Sequence, residues 1–315
     1  MSSLTINKTN DKVYFDSDGK KLAALLFKPE NYDENKKYPA VIVTRPASGV
    51  KEQTAGLYAQ ELSKKGFITL AFDPKGYGES EGRKRVEDVY SIISDTKNGI
   101  TFLETHNNVD VENIFNVGIC MGSAYATVAS IEDKRIKATG VVSPIFTNPE
   151  DMAKAYGAKF VLKAMLSSMK PIVAFLNLFG IQMFVPLAPI KWSDKIFPTT
   201  KMQHLACEYY GPGKIGDVST WKNKVNFYKG GTGAIEFDPF EYIEEYNQQK
   251  KPYFMAFATG GSRPEKLQEF YDKLDSKDKE LMIIPDSHHF DLYYKSKAVN
   301  KIVNGMSDLF KRQLN

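Results

Sequence analysis

The sequence predicts an α/β fold: a mostly parallel central sheet, helices on both faces, and an inserted helical lid. Three observations predict it. Short apolar, β-branched runs alternate with amphipathic helical stretches from Ala40 to Val142, as parallel strands joined by crossover helices do. The alternation breaks at Phe146 and resumes at Tyr253, so about a hundred residues are inserted between two strands, far beyond an ordinary loop. Between Asn116 and Ala126 a buried strand turns straight into a helix through Gly118-x-Cys120-x-Gly122.

The elements follow in order. Val13–Phe15 and Leu22–Phe27 are apolar enough for two strands, and Asp16-Ser17-Asp18-Gly19 between them is hairpin-turn chemistry. Ala40–Thr44 is a buried strand. Gln53–Lys65 carries Leu57, Tyr58 and Leu62 at helical spacing and stops at Gly66. Phe67–Phe72 is the next strand, and Val86–Leu103 is a long helix with Val89, Ile92, Ile93 and Ile100 on one face. Ile114–Val117 is a strand, Ala124, Ala126, Val128 and Ala129 mark the following helix, and Ala138–Val142 is another strand. After the insertion come a strand at Tyr253–Phe257, a helix at Pro264–Leu274, a strand at Glu280–Ile284 and a helix at Lys295–Leu314. The domain reading is a discontinuous core, 1–145 and 246–315, with a lid at 146–245.

Composition narrows the partners. With 42% hydrophobic and 25% charged residues in 315, the chain reads as a soluble globular protein with a sizeable core. The net charge of +4 is small and its lysines are scattered, so no stripe suggests nucleic acid. Cys120 and Cys207 make no disulfide framework, which fits a reducing compartment. Met1–Asp11 shows no apolar run or cleavage site, so the expected location is cytoplasmic. Pro171–Ile190 has no charged residue and about the length of a membrane span. A span there would separate strands of one sheet, and Pro186 and Pro189 break a continuous helix. An apolar lid over a small-molecule pocket is the better reading, with shallow membrane contact left open. No metal or cofactor is called for, and no oligomeric state is assigned.

The chemistry starts at the elbow. A strand that turns at once into a helix forces its tip residue into strained backbone, and the residues two positions either side must be small. The tip projects at the positive end of a new helix, which favours a thiolate at Cys120. A nucleophilic cysteine needs a base. His106 lies away from the carboxyl ends of the strands, where active residues of such sheets gather, and His204 lies in the lid. His288 and His289 follow the last strand. Acyl transfer also needs an oxyanion hole. The backbone N–H of Met121 is one donor. The loop after Ala40–Thr44 supplies the second: Pro46 has no N–H, so Ala47 is the candidate and Ser48 the next.

Nucleophile, lid, histidine is the chain order of α/β-hydrolases, and a set of motifs supports that order. Gly49-Val50-Lys51-Glu52-Gln53-Thr54-Ala55-Gly56-Leu57-Tyr58, Leu70-Ala71-Phe72-Asp73, Gly78-Glu79-Ser80, Gly118-Ile119-Cys120 and Asp291-Leu292-Tyr293 together resemble the α/β-hydrolases related to bacterial dienelactone hydrolase. Fungal polyketide transferases are similar. The resemblance runs from about Tyr38 to the C-terminus and is weakest in the lid. It places the family's elbow cysteine on Cys120 and its closing histidine, through Pro285-Asp286-Ser287-His288-His289-Phe290-Asp291-Leu292-Tyr293, on His289. Three departures stand out. Arg45-Pro46-Ala47-Ser48-Gly49 replaces His-Pro-Gly-Gly-Gly and brings a cation near the site. The glycines after the elbow are shortened to Met121-Gly122-Ser123. The family's acid falls on Gly260, where no carboxylate stands, which leaves Glu265 as substitute and Asp73 as a weaker one. Asp73 is expected first to hold the Gly76–Ser80 turn.

The expected function is hydrolysis of an ester, thioester or lactone by Cys120 and His289 through an acyl-enzyme. Arg45, Phe175, Phe179 and Phe184, with Phe160 and Met183, would line an apolar pocket; packing of the lid onto the core is the plainer role for the same aromatics. Alternatives are an acyltransferase of this fold, and a degraded hydrolase that binds without turnover. A peptidase ranks last, because nothing supplies a pocket for an amino terminus.

Overall fold

A computed structural model describes residues 10–146, 201–226 and 237–314, with residue 6 and short pieces within 171–188. Eight strands form one sheet in the order β1-β2-β4-β3-β5-β6-β9-β10. They are β1 (Asp11–Ser17), β2 (Lys20–Phe27), β3 (Tyr38–Thr44), β4 (Ile68–Phe72), β5 (Val109–Ile119), β6 (Ile136–Val142), β9 (Tyr253–Gly260) and β10 (Lys279–His288). Two-residue strands β7 (Phe184–Val185) and β8 (Val225–Asn226) pair apart from it. From β4 to β10 every pairing is parallel. The hairpin β1–β2 adds antiparallel strands at one edge, and its turn residues Asp18 and Gly19 both take positive φ, at 51° and 72°, as a two-residue hairpin turn requires. The expected mostly parallel α/β sheet is what the chain forms.

Helices cover both faces. On one, α1 (Thr54–Ser63) and the C-terminal helix Ser296–Arg312 pack with Leu62, Phe67, Phe115, Ile302 and Phe310. The Phe115 and Phe310 rings stack at 4.6 Å. On the other, α2 (Val89–Glu104) and α3 (Gly122–Glu132) bring Ile92, Ile93, Ile100, Val128 and Ala129 against Ile42, Leu70 and Ile114. Burying each such Leu, Ile or Phe contributes about 1.5–3 kcal/mol.

Two boundaries differ from expectation. β5 starts at Val109, ahead of Ile114, because the polar Asp110–Asn113 stretch stays extended. α2 starts at Val89, not Val86: the Asp88 side chain accepts from Ser91 N at 3.2 Å as N-cap, and Glu87 is drawn into the interior.

β6 and β9 are direct neighbours, with Thr139 opposite Tyr253. The long intervening segment therefore leaves and returns at adjacent positions of the sheet. Its described parts include the helix Lys201–Tyr210 and a 3₁₀ turn at Pro239–Tyr242 that leads into the helix Ile243–Gln249. The expected boundary at 245/246 falls inside that last helix, whose Ile243 and Tyr246 are buried in the core. Phe160, Pro189 and most of the proposed lid lie outside the described residues. No helix among the described residues is long and apolar enough to cross a membrane.

Candidate active site

Cys120 occupies a strained tip between β5 and α3. Its φ is +58°, a region that costs a non-glycine residue about 1–3 kcal/mol. The flanking glycines explain themselves by contact. A Cβ on Gly118 would lie 2.2 Å from Gly122 O, and one on Gly122 would lie 2.5 Å from Arg45 O. Strand, helix and the loop after β3 converge too closely for any side chain there.

The thiol is buried, at 6% exposure. Burial pushes it up to about 11, and the Tyr293 hydroxyl and the backbone N–H groups of Met121 and Ala47 pull in the opposite direction. This corrects the expected thiolate. The helix N-terminus does favour charge on sulfur, but desolvation is the larger effect, and Cys120 rests as a thiol. The N–H groups of Met121 and Ala47 both lie beside its Sγ and oppose that rise. Ser48 does not join them. It sits at φ +55° and its N–H donates to Glu87 Oε2 at 3.1 Å.

His289 is buried and lies between two hydroxyls. Nδ1 is 3.0 Å from Ser143 Oγ, and Nε2 is 3.1 Å from Tyr293 Oη. Ser143 Oγ also donates to His289 O at 2.9 Å. Ser143 has one hydroxyl proton, so it accepts from Nδ1–H while donating to that carbonyl. This assigns the tautomer: Nδ1 carries the hydrogen and Nε2 accepts from Tyr293. Tyr293 Oη also lies beside the Cys120 thiol and opposes the rise that burial gives it. Cys120, Tyr293, His289 and Ser143 thus stand in a row, with Tyr293 between the thiol and the imidazole. Burial lowers the imidazole to about 4, so His289 is neutral near pH 7.

Among the described residues no carboxylate touches His289. Glu265, at the start of the helix Pro264–Lys273, pairs with Arg263 at 3.2 Å and is two-thirds exposed. Asp73 accepts from Lys51 Nζ at 2.9 Å, Lys51 N at 2.8 Å and Glu79 N at 3.0 Å, which fixes the Gly76–Ser80 turn. At Gly260 the space is taken: a Cβ there would lie 2.4 Å from His288 Nδ1. The imidazole of His288 fills the place a side chain at that strand end would occupy. Asp291 accepts from His288 N at 3.0 Å and pairs with Lys295 at 2.6 Å. Of the other histidines, His204 is exposed, and His106 is half-buried with its ring 4.8 Å from Phe102.

The cation at Arg45 is neutralised. Arg45 is fully buried, its Nη1 meets Glu87 Oε1 at 2.5 Å and its guanidinium lies 4.2 Å from the Tyr77 ring. Tyr77 Oη donates to Glu87 at 2.7 Å and Tyr125 Oη at 3.3 Å. This network sets the loop that carries Ala47. Breaking such a buried pair from one side costs about 3–5 kcal/mol. Phe175 and Phe179 are 59% and 68% exposed and meet edge to face at 5.1 Å. Phe184 lies 5.6 Å from the Arg85 guanidinium. Tyr209 and Phe290 pack beside Tyr293, and Tyr210 against Phe290, aromatic cover that the sequence reading did not single out.

A cysteine at a strained strand-to-helix tip, backbone N–H groups beside it and a buried histidine after the last strand form a site of the α/β-hydrolase class. A family model described as serine aminopeptidase, S33, matches residues 48–203. The Escherichia coli (strain K12) protein YcjY is 32% identical over 315 residues, covering 97% of this chain and 99% of that one. Thiohydrolase aneE of Aspergillus aculeatus is 34% identical over 140 residues, 44% of this chain and 42% of that one. The crystal structure of PA2218 from Pseudomonas aeruginosa aligns with a TM-score of 0.84 at 24% identity, covering 99% and 96% of the two chains, a likeness of fold alone. The chain belongs to the α/β-hydrolase superfamily, in full-length kinship with YcjY.

Proposed function

We propose that the protein hydrolyses an ester or thioester of a small apolar acyl group, with Cys120 as nucleophile and His289 as base. The observation that carries this reading is the place of Tyr293, whose Oη is 3.1 Å from His289 Nε2 and lies beside the Cys120 thiol, together with the Met121 and Ala47 N–H groups next to the sulfur. Sγ attacks the carbonyl carbon as the thiol proton passes to Tyr293 Oη and the Tyr293 proton passes to Nε2. The carbonyl π pair moves onto oxygen, and the N–H groups of Met121 and Ala47 hold that oxyanion. Collapse breaks the bond to the leaving alkoxide or thiolate, which takes the proton from His289. Water then attacks the acyl-thioester, His289 removes its proton, and the acid and the Cys120 thiol are released.

Two neutral partners suit this order of events. With the thiol near 11 and the imidazole near 4, no ion pair preforms, and proton transfer accompanies attack. Ser143 takes the place of a carboxylate at Nδ1: it fixes the tautomer without adding charge. A thiol needs less help from a base than a hydroxyl does. The motif resemblance to dienelactone-hydrolase relatives and the 34% identity to a thiohydrolase over 44% of the chain support the bond class, and an apolar lid over the site would select the acyl group. The uncharged partner of His289 also favours a second reading, a binding protein without turnover. A panel of p-nitrophenyl esters and acyl thioesters of varied chain length separates the two. Hydrolysis by wild type that disappears in Cys120→Ala and falls by about 10²-fold or more in His289→Ala supports the enzyme; equal rates in all three proteins support the binder.

A further inference from the structure

Beside the loop that carries Ala47 lies a cavity of about 210 Å³ whose lining includes Ser48, Tyr77, Lys84, Arg85, Ser219, Thr220 and Lys222. We propose that it is a binding site for a phosphate-bearing ligand. Three cations and four hydroxyl residues face one small space, and no carboxylate lines it. Among the described residues none of the three cations makes a salt bridge: Lys222 Nζ donates to Ser219 O at 3.0 Å, and the Arg85 guanidinium rests over Phe184. The nearby acids are already engaged. Glu52 accepts from Thr220 and Lys51, Glu79 from Lys12 and Lys51, and Glu87 from Arg45 and Tyr77.

A second observation comes from Ser48. It is 1% exposed, lines the cavity, and its hydroxyl has no hydrogen-bond partner among the described residues. A buried donor left open costs free energy, and an anion oxygen in the cavity would satisfy it. Arg85 adds a planar fork suited to phosphate oxygens; it is held at φ +58° by backbone bonds from Arg85 N to Gly76 O and from Asn226 N to Arg85 O. The volume is below the usual 300–1,000 Å³ of a site for a whole organic ligand. It fits a phosphate group with the rest of the molecule outside. Ser48 follows Ala47 directly, so the anion would sit one residue from a donor beside Cys120.

The phosphate has two sources: the leaving group of a phosphate-bearing thioester such as an acyl-coenzyme A, or free phosphate acting on the loop. Calorimetric titration of the full-length protein with coenzyme A and, separately, with inorganic phosphate tests the site whether or not Cys120 is the nucleophile. The site predicts saturable binding that weakens on added salt and about tenfold or more in Lys84→Ala/Lys222→Ala and in Arg85→Gln. Coenzyme A binding much more tightly than phosphate places the phosphate on the substrate; equal affinities make it a free ligand. No saturable heat with either probe, or equal affinity in wild type and both variants, overturns the proposal. Turnover of an acyl N-acetylcysteamine thioester, which has no phosphate, by wild type beside Cys120→Ala reads the Cys120 mechanism separately.

Discussion

At pH 7 the Cys120 and His289 side chains are both uncharged, and for the same reason. Burial holds the Cys120 thiol up at about 11 and the His289 imidazole down at about 4. Alkylation of Cys120 by iodoacetamide should therefore be slow at neutral pH and climb steeply toward pH 11. Tyr293→Phe removes the hydroxyl that can turn its one proton from Nε2 to the sulfur once the thiol ionises, and should move that rise to still higher pH. A plateau already reached near pH 7, read by peptide mass spectrometry at Cys120, would contradict the buried-thiol description. His289 also makes stability depend on pH. A free imidazole takes up its proton near 6.5, whereas His289 stays neutral down to about 4. Between these values the unfolded chain binds a proton that the folded one does not. The contribution is complete above about 6.5 and is lost as pH falls toward 4, an effect of roughly 3 kcal/mol for one buried group. Urea unfolding at both ends of that window should show a steeper loss in wild type than in His289→Gln.

At the scale of elements, the end of β9 and the end of β10 are coupled. Gly260 is small because His288 stands over it, 2.4 Å from where its Cβ would be. Gly260→Ala should lower stability by about 1–3 kcal/mol through overpacking, and the loss should shrink in the presence of His288→Ala. A double-mutant cycle with no coupling would mean that the two strand ends relax independently. The elbow itself was legible because every demand on it is local: strand, tip and helix are consecutive, so the glycine spacing is written in the sequence. The Arg45 loop was not. Glu87 looked like helix, yet it lies 42 residues from Arg45 in sequence and joins it in a buried pair. Neither periodicity nor spacing reports a pairing of that kind.

Across the whole molecule, the sheet was readable because burial on both faces leaves continuous apolar strands, and because the helices between them carry one-sided stripes. The row of side chains in the site was readable only in part. Cys120 sits in a motif and His289 in a short signature, but Ser143 reaches His289 across 146 residues. Tyr293 lies four residues after His289, inside the quoted Asp-Leu-Tyr signature, and only the folded chain places it between base and thiol. The thiol's burial likewise belongs to the assembled molecule: helix α3 alone argues for a thiolate, and the core around it argues more strongly for a thiol. The most direct test of the Cys120 mechanism is the mass of the protein during turnover of an acyl thioester, quenched in acid and mapped by peptide. The mechanism predicts an added acyl group on the peptide that carries Cys120, absent from the Cys207 peptide and from Cys120→Ala. Turnover without that adduct, undiminished in Cys120→Ala, would contradict it.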